Sequence, residues 1–167
     1  MRKIVLDSNV FILFFAGNIN PDRIGHYTRK KKDRKNNLGW NIDDYNFLLN
    51  KLGNDYKIIT SPNVSTEVDN ILNGIEGEDK LKYLNFAEKI YSDSIEEYIE
   101  SKSVFCNNYD TDYYLLYELG LSDFVVLEIA KKSDLLISAD SKLCDRAKSL
   151  DINVVDFKEY KQFELHS

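Results

Sequence analysis

The sequence predicts an α/β protein built on a parallel sheet that is covered by helices on both faces. Three observations predict it. Short runs that are apolar almost throughout recur along the chain, around Ile4, Ile58, Leu136 and Val154, and such runs suit strands buried on both faces. Stretches with a helical apolar period lie between them, and strands that alternate with helices assemble in parallel. The length of 167 residues fits a single domain, 1–167, large enough to bury its own core.

Taken in order, Lys3-Ile4-Val5-Leu6 is the first strand; it ends on Asp7-Ser8-Asn9 and runs straight into an apolar helix, Val10 to Phe15. Gly17 to Gly39 is polar and basic, holds Pro21 and shows no sustained period, which predicts a long loop with a basic insertion at about 18–38. Trp40 to Leu52 sets Ile42, Tyr45, Leu48, Leu49 and Leu52 at helical spacing before Gly53. Tyr56 to Thr60 is the second strand. Ser61-Pro62, a cap followed by proline at the first helical position, opens a helix to Asn73. Glu78 to Glu100 reads as mostly helix, with Leu81, Leu84, Ala87, Ile90 and Tyr91 on one side. Ser103 to Asn108 breaks the pattern; Asp110 to Leu119 is helical and Gly120 ends it. Ser122 caps a helix from Asp123 to Lys132, Asp134 to Ser138 is a strand, Ser141 to Leu150 a helix, and Val154 to Phe157 the last strand.

Composition excludes several classes. An apolar share of 43% with 30% charged residues is ordinary for a globular chain and unlike a disordered one. The longest apolar run, Val10 to Ala16, is far short of the roughly 18 residues that span a bilayer. Asp7 and Asn9 interrupt what would be the apolar part of a secretory signal, so the expected location is cytoplasmic, with no membrane partner. Cys106 and Cys144 have no Cys or His at zinc spacing and read as small buried hydrophobes.

The net charge of −6 is unevenly spread. Arg29, Lys30, Lys31, Lys32, Arg34 and Lys35, set against Asp33, give one short segment +5 and leave −11 for all other residues. Such a run is either a solvated loop or a contact for phosphates. Among the many aromatic residues, Phe11, Phe14, Phe86 and Tyr91 have helical spacing and read as core, while Tyr27 in the loop is a candidate for stacking on a base.

The carboxylates carry the functional signal. Ligands of an open parallel sheet bind outside the carboxyl ends of its strands. Asp7 ends the first strand and Asp140 lies two residues past Ser138, so both belong to that edge, although each alone is explained as a helix cap. Glu67 sits at i+3 of a stripe formed by Val64, Val68 and Ile71, too far into its helix to be a cap. Asp123 heads a stripe with Val126, Leu127 and Ala130; Asp140 heads one with Leu143, Cys144 and Ala147. Asp69 and Asp145 point elsewhere, Asp145 one turn from Asp140.

Four inward-facing acids repel one another unless a cation lies between them. An all-oxygen set without His or Cys suits Mg²⁺ or Mn²⁺, and acids holding such ions hydrolyse phosphodiesters. Asn9 is the expected donor orienting Asp7.

Asp7-Ser8-Asn9 after an N-terminal strand, Ser65-Thr66-Glu67-Val68 on a helix, Gly120-Leu121-Ser122-Asp123-Phe124 opening a helix, and Leu136-Ile137-Ser138-Ala139-Asp140-Ser141 together resemble the PIN domain, in order and over nearly the whole chain. The resemblance implies an α/β/α sandwich around a parallel sheet and a Mg²⁺- or Mn²⁺-dependent ribonuclease. It implies Asp7, Glu67, Asp123 and Asp140 as the acidic quartet, and Ser138 as the hydroxyl that supports the fourth acid. Many small PIN proteins are toxins, commonly dimeric and silenced by an antitoxin, so a homodimer and an antitoxin are the partners implied beside RNA. This chain is longer than those toxins, through its basic insertion and the helices from Glu78 to Leu119, and its fifth acid is displaced to Asp145.

Two other readings compete. A PIN-like module that binds RNA or protein without catalysis would keep the same fold. A phosphatase of the haloacid dehalogenase type also starts with Asp at the end of a first strand, but needs a second acid two residues on, where Asn9 stands.

Overall fold

The computed structural model of the protein describes residues 1–28, 39–107 and 113–164. At its centre is a five-stranded parallel sheet of β1 (Arg2–Leu6), β2 (Tyr56–Thr60), β3 (Ile95–Tyr98), β4 (Leu135–Ser138) and β5 (Val154–Asp156), in the order β3-β2-β1-β4-β5. The chain winds outward from β1 to β3, then returns to the other side of β1 for β4 and β5. On one face α1 (Ser8–Ile19) packs against α2 (Ile24–Tyr27), α3 (Ile42–Leu52), α4 (Pro62–Leu72) and α5 (Gly77–Lys89). On the other, α8 (Leu121–Ala130) packs against α6 (Ser101–Asn107), α7 (Tyr113–Leu119) and α9 (Ser141–Ser149). The result is a three-layer α/β/α sandwich, as the apolar strands and intervening helices predict. No helix of the described residues is long and apolar enough to cross a membrane.

α1 is enclosed nearly all round: Val10 to Ala16 are each at most 3% exposed, which explains why its sequence is apolar without a polar stripe. It runs four residues past the predicted end at Phe15. Gly17 lies in its last turn because a Cβ there would stand inside the ring of Tyr45 on α3.

The sequence pattern misplaced several elements. The described part of the stretch read as a loop, from Gly17 to Thr28, forms the end of α1, a 3₁₀ turn at Pro21–Arg23 and α2, which short-range apolar spacing does not reveal. Tyr27 is buried rather than presented to a base; its hydroxyl donates to Asp79, which Arg23 (2.8 Å) and Lys82 (3.3 Å) also contact. Burial and that hydrogen bond push the Tyr27 phenol up to about 12. The long helix expected from Glu78 to Glu100 stops at Lys89, makes one wide π turn, Ile90–Ser94, and becomes edge strand β3. Its buried face holds Tyr83 and Ile90, whereas Leu81 and Leu84 face solvent. Ser103 to Asn107, expected as a break, belongs to α6. α8 is capped by Gly120, at φ 79°, and not by Ser122.

A last helix, α10 (Phe157–Glu164), docks on α3 where the sequence suggested only a strand end. Phe157 is fully buried against Trp40 and Phe47, Tyr160 stacks flat on Phe47 at 3.6 Å between ring centres, and Lys161 pairs with buried Asp44 at 2.9 Å. Cys144 is buried as expected, and burial pushes its thiol up to about 12. Arg29, Lys30, Lys31, Lys32, Arg34 and Lys35 lie outside the described residues.

Candidate functional site

In a doubly wound sheet the crevice forms where the winding reverses, outside the carboxyl ends of the two strands that flank the reversal. Here those strands are β1 and β4. Asp7 follows β1 and Asp140 follows β4, so both acids stand at that point. Because the helices run back against the strands, α1, α4, α8 and α9 all begin at this same edge.

Asp7 is 4% exposed and held by three donors. Its Oδ1 accepts from the backbone N–H of Val10 (2.8 Å), capping α1, and its Oδ2 accepts from the Ala139 N–H (2.9 Å) and from the hydroxyl of Ser138. Its own N–H donates to the carbonyl of Ile137 at 3.1 Å, tying the end of β1 to β4. Burial raises the Asp7 pKa, the three donors oppose that rise, and the charge of Asp140 adds to it.

Asp140 caps α9, its Oδ1 accepting from the Leu143 N–H at 3.0 Å. Its backbone N–H donates to the Ser138 hydroxyl oxygen at 2.9 Å. The single proton of that fully buried hydroxyl therefore goes to Asp7, while its lone pair serves Asp140. The Ser138 hydroxyl serves both acids, donating to the carboxylate of the first and accepting from the backbone N–H of the fourth, a closer link than the sequence indicated. Asn9 makes no hydrogen bond to Asp7; the orienting part expected of it is filled by Ser138 and Ala139.

Glu67 and Asp123 complete the arrangement from opposite layers. Glu67 lies in the second turn of α4, whose start is set by Ser61 and Pro62, and is partly buried beside Val64 and Val68. Fully buried Leu72 joins the stripe beside Ile71, which packs partly buried against the core. Asp123 lies in the first turn of α8, where the helix N-terminus favours a negative charge. Its pKa is nevertheless pushed up to about 6, first by burial and then by the charges of Asp140, Asp7 and Glu67. Each of the other three acids thus acts on Asp123, from β1, α4 and the β4–α9 junction.

None of the four carboxylates forms an ion pair with a Lys or Arg among the described residues. No family model and no curated protein matches the chain.

The four acids share an electrostatic field but are not packed into a cage; among the described residues, no three His, Cys, Asp or Glu stand at metal-ligating spacing. Asp7 and Asp140 are fixed by their caps, whereas Glu67 and Asp123 are half-buried and take no hydrogen bond that holds their side chains among the described residues. Asp145 is exposed on α9 and makes no hydrogen bond to any of the four. Asp156, at the end of β5 in register with Ser138, is an acid the sequence pattern did not single out; it caps α10 through Lys158 N (2.8 Å) and lies 3.8 Å from Lys148, which gives it a structural role.

Proposed function

We propose that this protein is a divalent-metal-dependent nuclease that hydrolyses RNA phosphodiester bonds at the carboxylates of Asp7, Glu67, Asp123 and Asp140. The observation that carries the reading is the half-buried Asp123, raised to about 6 by burial and by three further acids, with no Lys or Arg ion-paired to any of the four among the described residues. Carboxylates drawn out of water are ordinarily paired with a cation, and four of them at a binding crevice without one among the described residues make an environment that a divalent cation would relieve.

The donor set fits such an ion. All four side chains offer hard oxygen, as Mg²⁺ and Mn²⁺ require, and the set contains no Cys or His. Asp140 keeps its Oδ2 free of hydrogen bonds among the described residues, and Asp7 Oδ1 takes only one. Rotation of the unrestrained Glu67 and Asp123 side chains toward these two fixed acids would close the ligand set. A bound ion supplies Lewis-acid polarisation of the phosphate and a more acidic water. The chain's own contribution is position. Ser138 and the Val10 and Ala139 N–H groups keep Asp7 aimed and favour its ionised form, and the start of α8 holds Asp123 at the crevice.

The resemblance to PIN domains supports RNA as the substrate. The test is cleavage of an RNA oligonucleotide by the purified chain in Mg²⁺, in Mn²⁺ and in EDTA, beside Asp7→Asn and Asp123→Asn. Cleavage should need the metal and be lost in both variants. Cleavage that survives EDTA or both substitutions overturns the reading; RNA binding with no cleavage under any condition makes the chain a binding module instead.

A further inference from the structure

The two carboxylate oxygens of Asp7 are not equivalent. Oδ2 accepts from both the Ser138 hydroxyl and the Ala139 N–H (2.9 Å), whereas Oδ1 accepts only from the Val10 N–H (2.8 Å) among the described residues. A carboxylate oxygen carries two lone pairs, so Oδ2 is filled and Oδ1 keeps one. The side chain is buried, and any partial turn of its carboxylate breaks all three hydrogen bonds together. The backbone beneath is fixed as well: Leu6 pairs with Ile137 in the sheet, and the Asp7 N–H donates to the Ile137 carbonyl at 3.1 Å.

Of the two donors on Oδ2, the Ala139 N–H belongs to the backbone, and the hydroxyl belongs to the side chain at position 138. That hydroxyl has no other use for its proton, since its oxygen already accepts from the Asp140 N–H at 2.9 Å. The residue at 138 therefore decides whether Asp7 presents one oxygen or two. The difference matters to a cation. Ca²⁺ gathers six to eight oxygens at about 2.3–2.6 Å and readily takes both oxygens of one carboxylate, whereas Mg²⁺ holds an octahedron at about 2.0–2.1 Å from single oxygens and water. An acid limited to one oxygen deprives Ca²⁺ of a ligand and Mg²⁺ of none. Glu67 and Asp123, half-buried with no hydrogen bond among the described residues to hold them, can offer one oxygen or both and do not discriminate. The discrimination falls to Asp7.

We propose that Ser138 sets the metal preference of the acidic centre: by filling Oδ2 of Asp7 it restricts that acid to one oxygen, which favours Mg²⁺ and Mn²⁺ over Ca²⁺. The inference rests on the divalent-metal reading above and goes beyond it, assigning the choice of ion to a residue that acts only through Asp7. Ser138 is in this sense a positioning residue. Its replacement by Ala leaves the Ala139 N–H in place and frees one lone pair on Oδ2, so that Asp7 can meet an ion with both oxygens. Thr keeps the hydroxyl and with it the restriction.

The experiment uses the full chain with Mn²⁺ as the probe, its free paramagnetic resonance signal being followed while Mg²⁺ or Ca²⁺ displaces the bound ion. The ratio of the two competition constants is measured for the parent, Ser138→Ala and Ser138→Thr. The parent should favour Mg²⁺. Ser138→Ala should move the ratio toward Ca²⁺ by about tenfold, and Ser138→Thr should stay within about twofold of the parent. A merely structural role of Ser138 weakens every ion alike and leaves the ratio where it was. An unchanged ratio in Ser138→Ala, or an equal shift in Ser138→Thr, overturns the proposal and leaves the metal reading intact. A parent that holds Ca²⁺ more tightly than Mg²⁺ overturns it too, a result that needs no variant and so decides the matter even if Ser138→Ala fails to fold. A parent that binds no Mn²⁺ removes both the metal reading and this proposal.

Discussion

Replacing Asp123 by Asn should make the protein more stable in the absence of divalent metal while abolishing the proposed nuclease activity. The carboxyl is raised from its ordinary 3.8 to about 6 in the folded chain, by burial first and then by Asp140, Asp7 and Glu67. A folded pKa above the unfolded one means that the native state binds the extra proton between these two values, so stability falls as pH rises through that window and the penalty is complete above it. At about 1.4 kcal/mol per pH unit the shift corresponds to roughly 3 kcal/mol, and solvent screening of a half-buried group reduces this to about 1–2 kcal/mol. The amide carries no charge and escapes the penalty. Urea unfolding in EDTA at pH 8 should therefore give Asp123→Asn an advantage of about 1–2 kcal/mol, shrinking toward zero at pH 4. An unchanged or lower stability at pH 8, or an equal gain at pH 4, refutes the electrostatic argument that gathers the four acids.

Further outcomes follow from the same contacts. Ser138→Ala removes a hydroxyl that donates to buried Asp7 and accepts from Asp140, and should cost about 2–3 kcal/mol by urea unfolding at pH 8, with a smaller loss at acid pH where Asp7 is protonated. The sign follows from Asp7, whose pKa burial raises and Ser138 lowers: without the hydroxyl the folded pKa rises further, and the added cost falls on the ionised form. Gly17→Ala drives a methyl into the Tyr45 ring and should lower stability by about 2 kcal/mol or more in the same assay, because neither α1 nor α3 can yield without disturbing a core of fully buried neighbours. Asp79→Asn weakens the buried contacts with Tyr27, Arg23 and Lys82 and should bring the Tyr27 phenol down toward its ordinary range in a spectrophotometric titration.

The physics of the strands made most of the fold legible. β1, β2 and β4 lie in the interior, and Ile4, Val5, Leu6, Ile58, Ile59, Leu136 and Ile137 are apolar because both faces of the sheet are covered. β3 escaped notice for the same reason reversed: at the edge, Glu96 and Glu97 face solvent, and only Ile95 contributes to the core. Its sequence therefore looks like a continuation of the helix before it. α10 was hidden because its anchoring is by particular pairs, Phe157 with Trp40 and Lys161 with Asp44, across more than a hundred residues. At the site, the helical stripes placed Asp123 and Asp140 on inward faces, and the reversal between β1 and β4 brings their edges together. Ser138 as donor to Asp7 was not legible, since it depends on Leu6 and Ile137 being in register, which sets Asp7 beside Ser138.

The central claim is that these four carboxylates make one site for a divalent cation. Titration of the full chain with Mn²⁺, followed by the loss of its free paramagnetic resonance signal, tests it most directly, with Asp7→Asn, Glu67→Gln, Asp123→Asn and Asp140→Asn run in parallel. The parent should bind Mn²⁺ saturably, Mg²⁺ should compete, and each variant should weaken binding at least tenfold. Binding that is absent from the parent, or that persists unchanged in all four variants, contradicts it.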